Sequence, residues 1–152
     1  VSVVAYDPYV TPARAQQLGV TLLSLDELLA QSDFVTIHMP KTPETTGMIG
    51  AEQFRIMKNS AYVVNVARGK VADTDAILTH AGRLRFALDV TDPEPLPDGH
   101  PLWEMPNVVI TPHLANPPYS VRRRIGAHAA KVMERFAAGE AIPTEVDTEA
   151  GY

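Results

Sequence analysis

Residues 61–78, AYVVNVARGKVADTDAIL, join an apolar run, an arginine and a helix start in one short segment, and the architecture of the chain can be read outward from them. The run from Tyr62 to Val66 is apolar and rich in β-branched residues. That is the composition of a parallel strand covered on both faces, and it reads as a central strand. Arg68-Gly69 come next, and Asp73 is placed to N-cap a helix beginning near Thr74, with Ile77 and Leu78 on its buried side. Ligands of open α/β sheets sit beyond the carboxyl ends of the strands, so Arg68 is positioned there to hold a planar anion by two-point contact. An arginine that merely solvates a loop is the plainer alternative.

The alternation continues outward in both directions. Upstream, residues 1–6 read as a buried strand ending at Asp7-Pro8, 12–18 as a short helix stopped by Gly19, and 20–23 as a second strand. Ser24 caps the next helix, Glu27 completes the capping-box spacing, and Leu25, Leu28 and Leu29 form its apolar stripe. Residues 34–37 make a third strand ending at His38-Met39-Pro40, 42–50 a turn-rich loop and 51–58 a helix. Downstream, residues 83–90 form a strand that closes at Asp89. Five prolines between Thr91 and Pro106 then mark a loop longer than an ordinary connection, the kind that carries function. Val108 to Ile110 form the last strand, before Thr111-Pro112-His113. One long helix is expected over 119–138, closed by Gly139, with a polar tail at 140–152 that is extended or frayed.

Strands alternating with helices predict a parallel sheet with helices on both faces. Asp7, His38, Arg68, Asp89 and His113 each close a predicted strand, so such a sheet brings all five to one rim, where a nucleotide cofactor and its substrate would bind.

Composition narrows the partners. The 152 residues are 45% hydrophobic and 20% charged, suiting a soluble globular domain. A net charge of −5 without a long basic run gives no footprint for nucleic acid or an anionic membrane, and Arg122-Arg123-Arg124 read as a solvated helix face. The absence of cysteine excludes disulfides and thiolate metal sites and permits a reducing cytoplasm. No stretch reaches the roughly 18 apolar residues of a membrane span, and no secretory leader is visible. The chain opens inside a strand-like run at Val1, without an initiator Met, and reads as entered midway.

Each rim residue has a chemical reading and a plainer one. Asp7 is placed to accept both hydroxyls of an adenosine ribose and repel a 2′-phosphate, selecting NAD; the alternative is an Asp-Pro turn. His113 is a candidate general base, with Glu94 in the proline-rich loop to hydrogen-bond its far ring nitrogen, against a structural histidine following proline. Asp89 either contacts a nicotinamide carboxamide or caps its loop. No His pair has metal-ligand spacing, and no metal is expected.

The runs LLAQSDFVTIHMPKTPETTGMIG (28–50), MKNSAYVVNVARGKVADTDAIL (57–78), ALDVTDPEP (87–95) and TPHLA (111–115) resemble the D-isomer-specific 2-hydroxyacid dehydrogenases, most nearly their phosphoglycerate-oxidising branch. The resemblance covers nearly the whole chain. It implies a Rossmann-like doubly wound parallel sheet, NAD as cofactor, and a small 2-hydroxy or 2-keto acid as substrate. It also implies a homodimer; with the composition giving no footprint for nucleic acid or a membrane and permitting a reducing compartment, a cytoplasmic location without nucleic-acid or membrane partners is expected.

By position, the resemblance makes Arg68 the substrate-carboxylate arginine, His113 the catalytic histidine and Glu94 its orienting carboxylate. Asp7 becomes the ribose acid, Met39 a backbone contact to the cofactor, Val66 and Ala67 the main chain beside the nicotinamide, and Asp89 the carboxamide partner. His113 through Asn116, Ala115 included, completes the cofactor edge.

Departures from the family also carry expectations. The Gly-rich phosphate-binding turn and most of the substrate domain are missing from these residues, so residues 1–139 read as an NAD-binding domain incomplete at its N-terminus and 140–152 as a tail toward the substrate domain. The absent strand would leave a mid-sheet slot with unpaired backbone, and the chain alone is expected to be unstable. The helix over 77–82 runs about three residues short of the family's usual length, close to one turn. Leu114-Ala115-Asn116 replaces a commoner glycine-containing run, which leaves substrate choice open. A non-catalytic NAD-binding module and an inert fragment are the alternatives to an enzyme.

Overall fold

The computed structural model describes residues 1–146. The chain divides into two compact units, Val1–Thr111 and Pro112–Tyr152. The expected tail at 140–152 falls within the bounds of the second unit, and its residues 147–152 lie outside the described residues.

The first unit contains β1 (Val4–Ala5), α1 (Pro12–Leu18), β2 (Thr21–Leu22), α2 (Leu25–Gln31), β3 (Phe34–Ile37), α3 (Ala51–Ile56), β4 (Tyr62–Asn65), α4 (Thr74–His80), β5 (Arg85–Leu88) and β6 (Val108–Ile110). Its helix ends obey local chemistry. Ser24 and Glu27 close a reciprocal capping box on α2. The Asp73 carboxylate accepts from the Ala76 amide at the start of α4, 2.7 Å, and Gly19 ends α1 in the left-handed conformation at φ 68.

Strands β3, β4, β5 and β6 form one parallel sheet in that order. One face packs against the helices: Val35, Ile37, Val63, Phe86 and Leu88 join Leu29, Phe54 and Ile77 in the core. Phe54 meets Phe86 edge-on at 5.3 Å.

Some details differ from the sequence reading. The strand expected over 1–6 is only Val4–Ala5 and half-buried, because it pairs with β2 alone in a separate two-stranded parallel sheet. The run from Tyr62, read as covered on both faces, buries Val63 and Asn65 but leaves Tyr62 exposed and Val64 half-buried. Phe34 is 69% and Val109 61% exposed on that same side, a result of the strict alternation of side chains along a strand. The long proline-rich loop is partly structured, with a short 3₁₀ helix at Pro101–Glu104 and Leu96 and Leu102 buried in the core.

The second unit holds α5 (Pro118–Ala137), with Gly139 just beyond it at φ 68. Arg122, Arg123 and Arg124 are exposed, as expected of a solvated face. Among the described residues no helix is long and apolar enough to cross a membrane.

His80, in the last turn of α4, packs against Phe54 with ring centroids 5.8 Å apart. Burial, and then the nearby Arg83 guanidinium, hold its pKa below the ordinary 6.5. As pH falls below that value the unfolded chain binds a proton at His80 before the folded one does, so this contribution to stability is present above 6.5 and lost through the lower folded pKa. In the full-length gene product, His80→Gln is expected to flatten the fall in urea midpoint between about pH 8 and about pH 5.

Candidate functional site

Sheet register builds the site. Ile37, Asn65, Leu88 and Ile110 stand in one row across β3 to β6. One residue further on, His38, Val66, Asp89 and Thr111 therefore line one edge. The Asp89 amide donates to the Asn65 carbonyl at 3.0 Å and the Thr111 amide to the Leu88 carbonyl at 2.9 Å, continuing the ladder to the rim.

Asn65 sets the path of the chain after β4. Its side chain is 1% exposed, and both ends of the carboxamide are used: Oδ1 accepts from the Ala67 amide at 3.0 Å and Nδ2 donates to the Arg68 carbonyl at 3.0 Å. A buried amide must be satisfied, and here the satisfying groups are those of the turn that presents Arg68. Arg68 itself is exposed, with Nη1 donating to the Ala67 carbonyl at 2.7 Å. The segment beyond it, a short 3₁₀ helix over Gly69–Val71, is paired along one side: the Gly47 amide donates to the Lys70 carbonyl, the Ile49 amide to that of Val71 and the Asp73 amide to that of Ile49.

Asp89 is buried, 6% exposed, and its Oδ1 accepts from the Thr111 hydroxyl at 2.6 Å. That contact fixes a carboxylate at the carboxyl end of β5. Glu94 is exposed in the loop after β5, and this loop reaches the Arg68 turn: the Thr74 hydroxyl donates to the Asp92 carbonyl at 2.7 Å. Met39, beyond β3, is half-buried against the core, Ala67 is buried and Val66 half-buried. Beyond β1, Asp7 Oδ1 accepts from the amides of Tyr9 at 2.8 Å and Val10 at 3.2 Å, the turn that the Asp-Pro reading describes. His38 is exposed.

The first unit thus gathers His38, Val66, Ala67, Arg68 and Asp89 at one sheet edge and ties the loop of Glu94 to the Arg68 turn. His113 and Ala115 belong to the second unit, and both are exposed. His113 has φ 53, a left-handed conformation uncommon outside glycine and a form of backbone strain that clusters at functional positions. Among the described residues no group of three or more His, Asp or Glu is placed to hold a metal ion.

Sequence reasoning missed Asn65, Thr74 and Thr111. The signal for Asn65 was present, an amide inside an otherwise apolar strand. The partners of Thr74 and Thr111 lie 18 and 22 residues away, and no local pattern names them.

Residues 1–115 match the family model described as D-isomer specific 2-hydroxyacid dehydrogenase, NAD binding domain. The chain is 47% identical over 153 residues to a D-3-phosphoglycerate dehydrogenase of Mycobacterium tuberculosis, an alignment covering 98% of this chain and 29% of that protein. Among solved structures, an NAD-complexed D-isomer specific 2-hydroxyacid dehydrogenase from Lactobacillus delbrueckii ssp. bulgaricus superposes with TM-score 0.82 at 31% identity, over 96% of this chain and 48% of that one. A D-isomer specific 2-hydroxyacid dehydrogenase from Xanthobacter autotrophicus Py2, in complex with NADPH and MES, gives TM-score 0.82 at 35% identity, over 98% and 61%. The chain spans 29% of the length of the phosphoglycerate dehydrogenase it matches.

Replacing Asn65 with Leu keeps the volume but strands the Ala67 amide and the Arg68 carbonyl. The expected loss is about 1–3 kcal/mol for each unsatisfied group, read as a lower urea-unfolding free energy of the full-length gene product.

Proposed function

The chain belongs to the D-isomer specific 2-hydroxyacid dehydrogenase family, and we propose that the full-length gene product is an NAD-dependent oxidoreductase of D-2-hydroxy acids, of the phosphoglycerate dehydrogenase kind. In this reading residues 1–139 serve as the NAD-binding domain and 140–152 as the tail beyond it. NAD, when bound, supplies the two-electron acceptor for the hydrogen leaving C2 of the hydroxy acid.

The chain's own residues do the rest. Arg68 grips the substrate carboxylate with its planar fork and polarises the oxygen on C2. His113 takes the hydroxyl proton, and returns it when a 2-keto acid is reduced. Glu94 orients the imidazole and balances its positive charge. Asp7 accepts the adenosine ribose hydroxyls and disfavours a 2′-phosphate, giving NAD over NADP. Main chain at Met39, Val66 and Ala67 flanks the cofactor, Asp89 takes the nicotinamide carboxamide, and His113 through Asn116, with Ala115, complete the edge. A cytoplasmic homodimer, free of nucleic-acid and membrane partners, belongs to the same reading.

The observation that supports it most is the register of β3 to β6, which sets Val66 and Asp89 level at the carboxyl edge of a parallel sheet with Arg68 in the turn just beyond. That edge is where α/β sheets bind nucleotides. A buried carboxylate at the end of β5 and apolar main chain at the end of β4 suit an amide-bearing aromatic ring.

The full-length gene product is expected to oxidise NADH in the presence of 2-keto acids; NAD binding without turnover of any 2-keto or 2-hydroxy acid would sink the assignment and leave a binding module. Arg68→Lys is expected to raise KM and lower kcat together, reducing kcat/KM by about 10- to 100-fold. That loss is the worth of one charge-assisted hydrogen bond, about 1.5–3 kcal/mol, because a point charge cannot reproduce the fork.

A further inference from the structure

Gly69 is buried, and its backbone is not left-handed, so no conformational demand requires glycine there. The demand is space. A Cβ at this position would lie 1.9 Å from the Thr91 carbonyl oxygen, 2.2 Å from its carbon and 2.8 Å from the Asp92 nitrogen. All three atoms are backbone, so none can swing aside as a flexible side chain would. Among the described glycines no other meets a backbone atom that closely.

Five residues on, at the first position of α4, the Thr74 hydroxyl donates to the Asp92 carbonyl at 2.7 Å. Thr91 in turn donates its hydroxyl to the Pro93 carbonyl at 2.8 Å, and Leu96 is buried in the core. The loop is therefore held at residues 91–92 and again at 96, with Glu94 between the two fixed points. The near side of the same joint is the residue directly after Arg68.

We propose that Gly69 and Thr74 are positioning residues that lock the Glu94 loop onto the Arg68 turn, so that the anion-binding guanidinium and the carboxylate partner of the base share one rigid joint. The proposal rests on the roles given above to Arg68 and Glu94. Neither Gly69 nor Thr74 touches the reacting atoms; each acts through the loop it holds.

The test uses the full-length gene product, with Glu94→Gln as the reference. Two quantities are read: amide hydrogen exchange of residues 90–96, and the pH profile of kcat/KM for hydroxy-acid oxidation. Without its carboxylate partner the charge on the imidazole that takes up the substrate proton is no longer balanced, so the acidic limb of the Glu94→Gln profile is expected to move to lower pH. Gly69→Ala is expected to speed exchange across 90–96, to move the limb the same way and to lower kcat/KM by about 100-fold, the effect of misplacing a group by about 1 Å. Thr74→Val, which conserves volume and removes the donor, is expected to shift both readouts in the same directions, and Thr74→Ser to recover the wild-type limb. Should Gly69→Ala fail to fold, the two Thr74 variants decide.

Wild-type exchange and a wild-type limb in Thr74→Val would overturn the proposal. A Glu94→Gln enzyme whose limb does not move would instead overturn the role of Glu94. In that case exchange across 90–96 decides the joint alone: faster exchange in Thr74→Val upholds it and unchanged exchange rejects it.

Discussion

A single buried carboxamide governs the end of the central strand. Asn65 lies among apolar neighbours where water cannot reach it, and an unpaired amide there would cost about 1–3 kcal/mol for each polar group. It escapes that cost by bonding the Ala67 amide and the Arg68 carbonyl. The turn after β4 must therefore take the one shape that satisfies Asn65, and that shape fixes where the Arg68 backbone stands. The arginine owes its place to a residue that never reaches the surface.

Around this point the structure is braced from both sides. Gly47, Ile49 and Asp73 pair with the segment that comes after Arg68, while the backbone of Thr91 and Asp92 presses against Gly69. Asp89 is braced in its own way, by the Thr111 hydroxyl at the neighbouring strand end. Pre-organisation of this kind suits the binding of an anion and a planar ring proposed for this edge, because groups already held in place lose little freedom when a ligand arrives.

The elements themselves were largely legible. The strands at Phe34–Ile37 and Val108–Ile110 fall where their apolar runs begin and end, and α2 and α4 start at the caps that Ser24 and Asp73 supply. The rim residues His38, Arg68 and Asp89 were legible too, since His38 and Asp89 come directly after a strand run, Arg68 comes three residues after one, and the alternation of elements forces a parallel sheet. The burial of β4 was misjudged: a β-branched run looks the same whether one or both faces are covered, and Tyr62 is exposed. Strand β1 was overestimated because a short apolar run says nothing of how many neighbours it will find.

Whatever depends on near neighbours along the chain could be read from the residues alone: element type, helix caps, a parallel sheet by alternation, and the positions of His38, Arg68 and Asp89 beyond the carboxyl ends of their strands. Which groups hold those side chains still was settled only in three dimensions. Thr74 finds Asp92, Thr111 finds Asp89 and Gly69 finds Thr91 across separations of about twenty residues, set by the register of strands that local propensity does not specify. A hydroxyl or a missing side chain carries no label of its partner until the sheet has aligned the loops that bring them together.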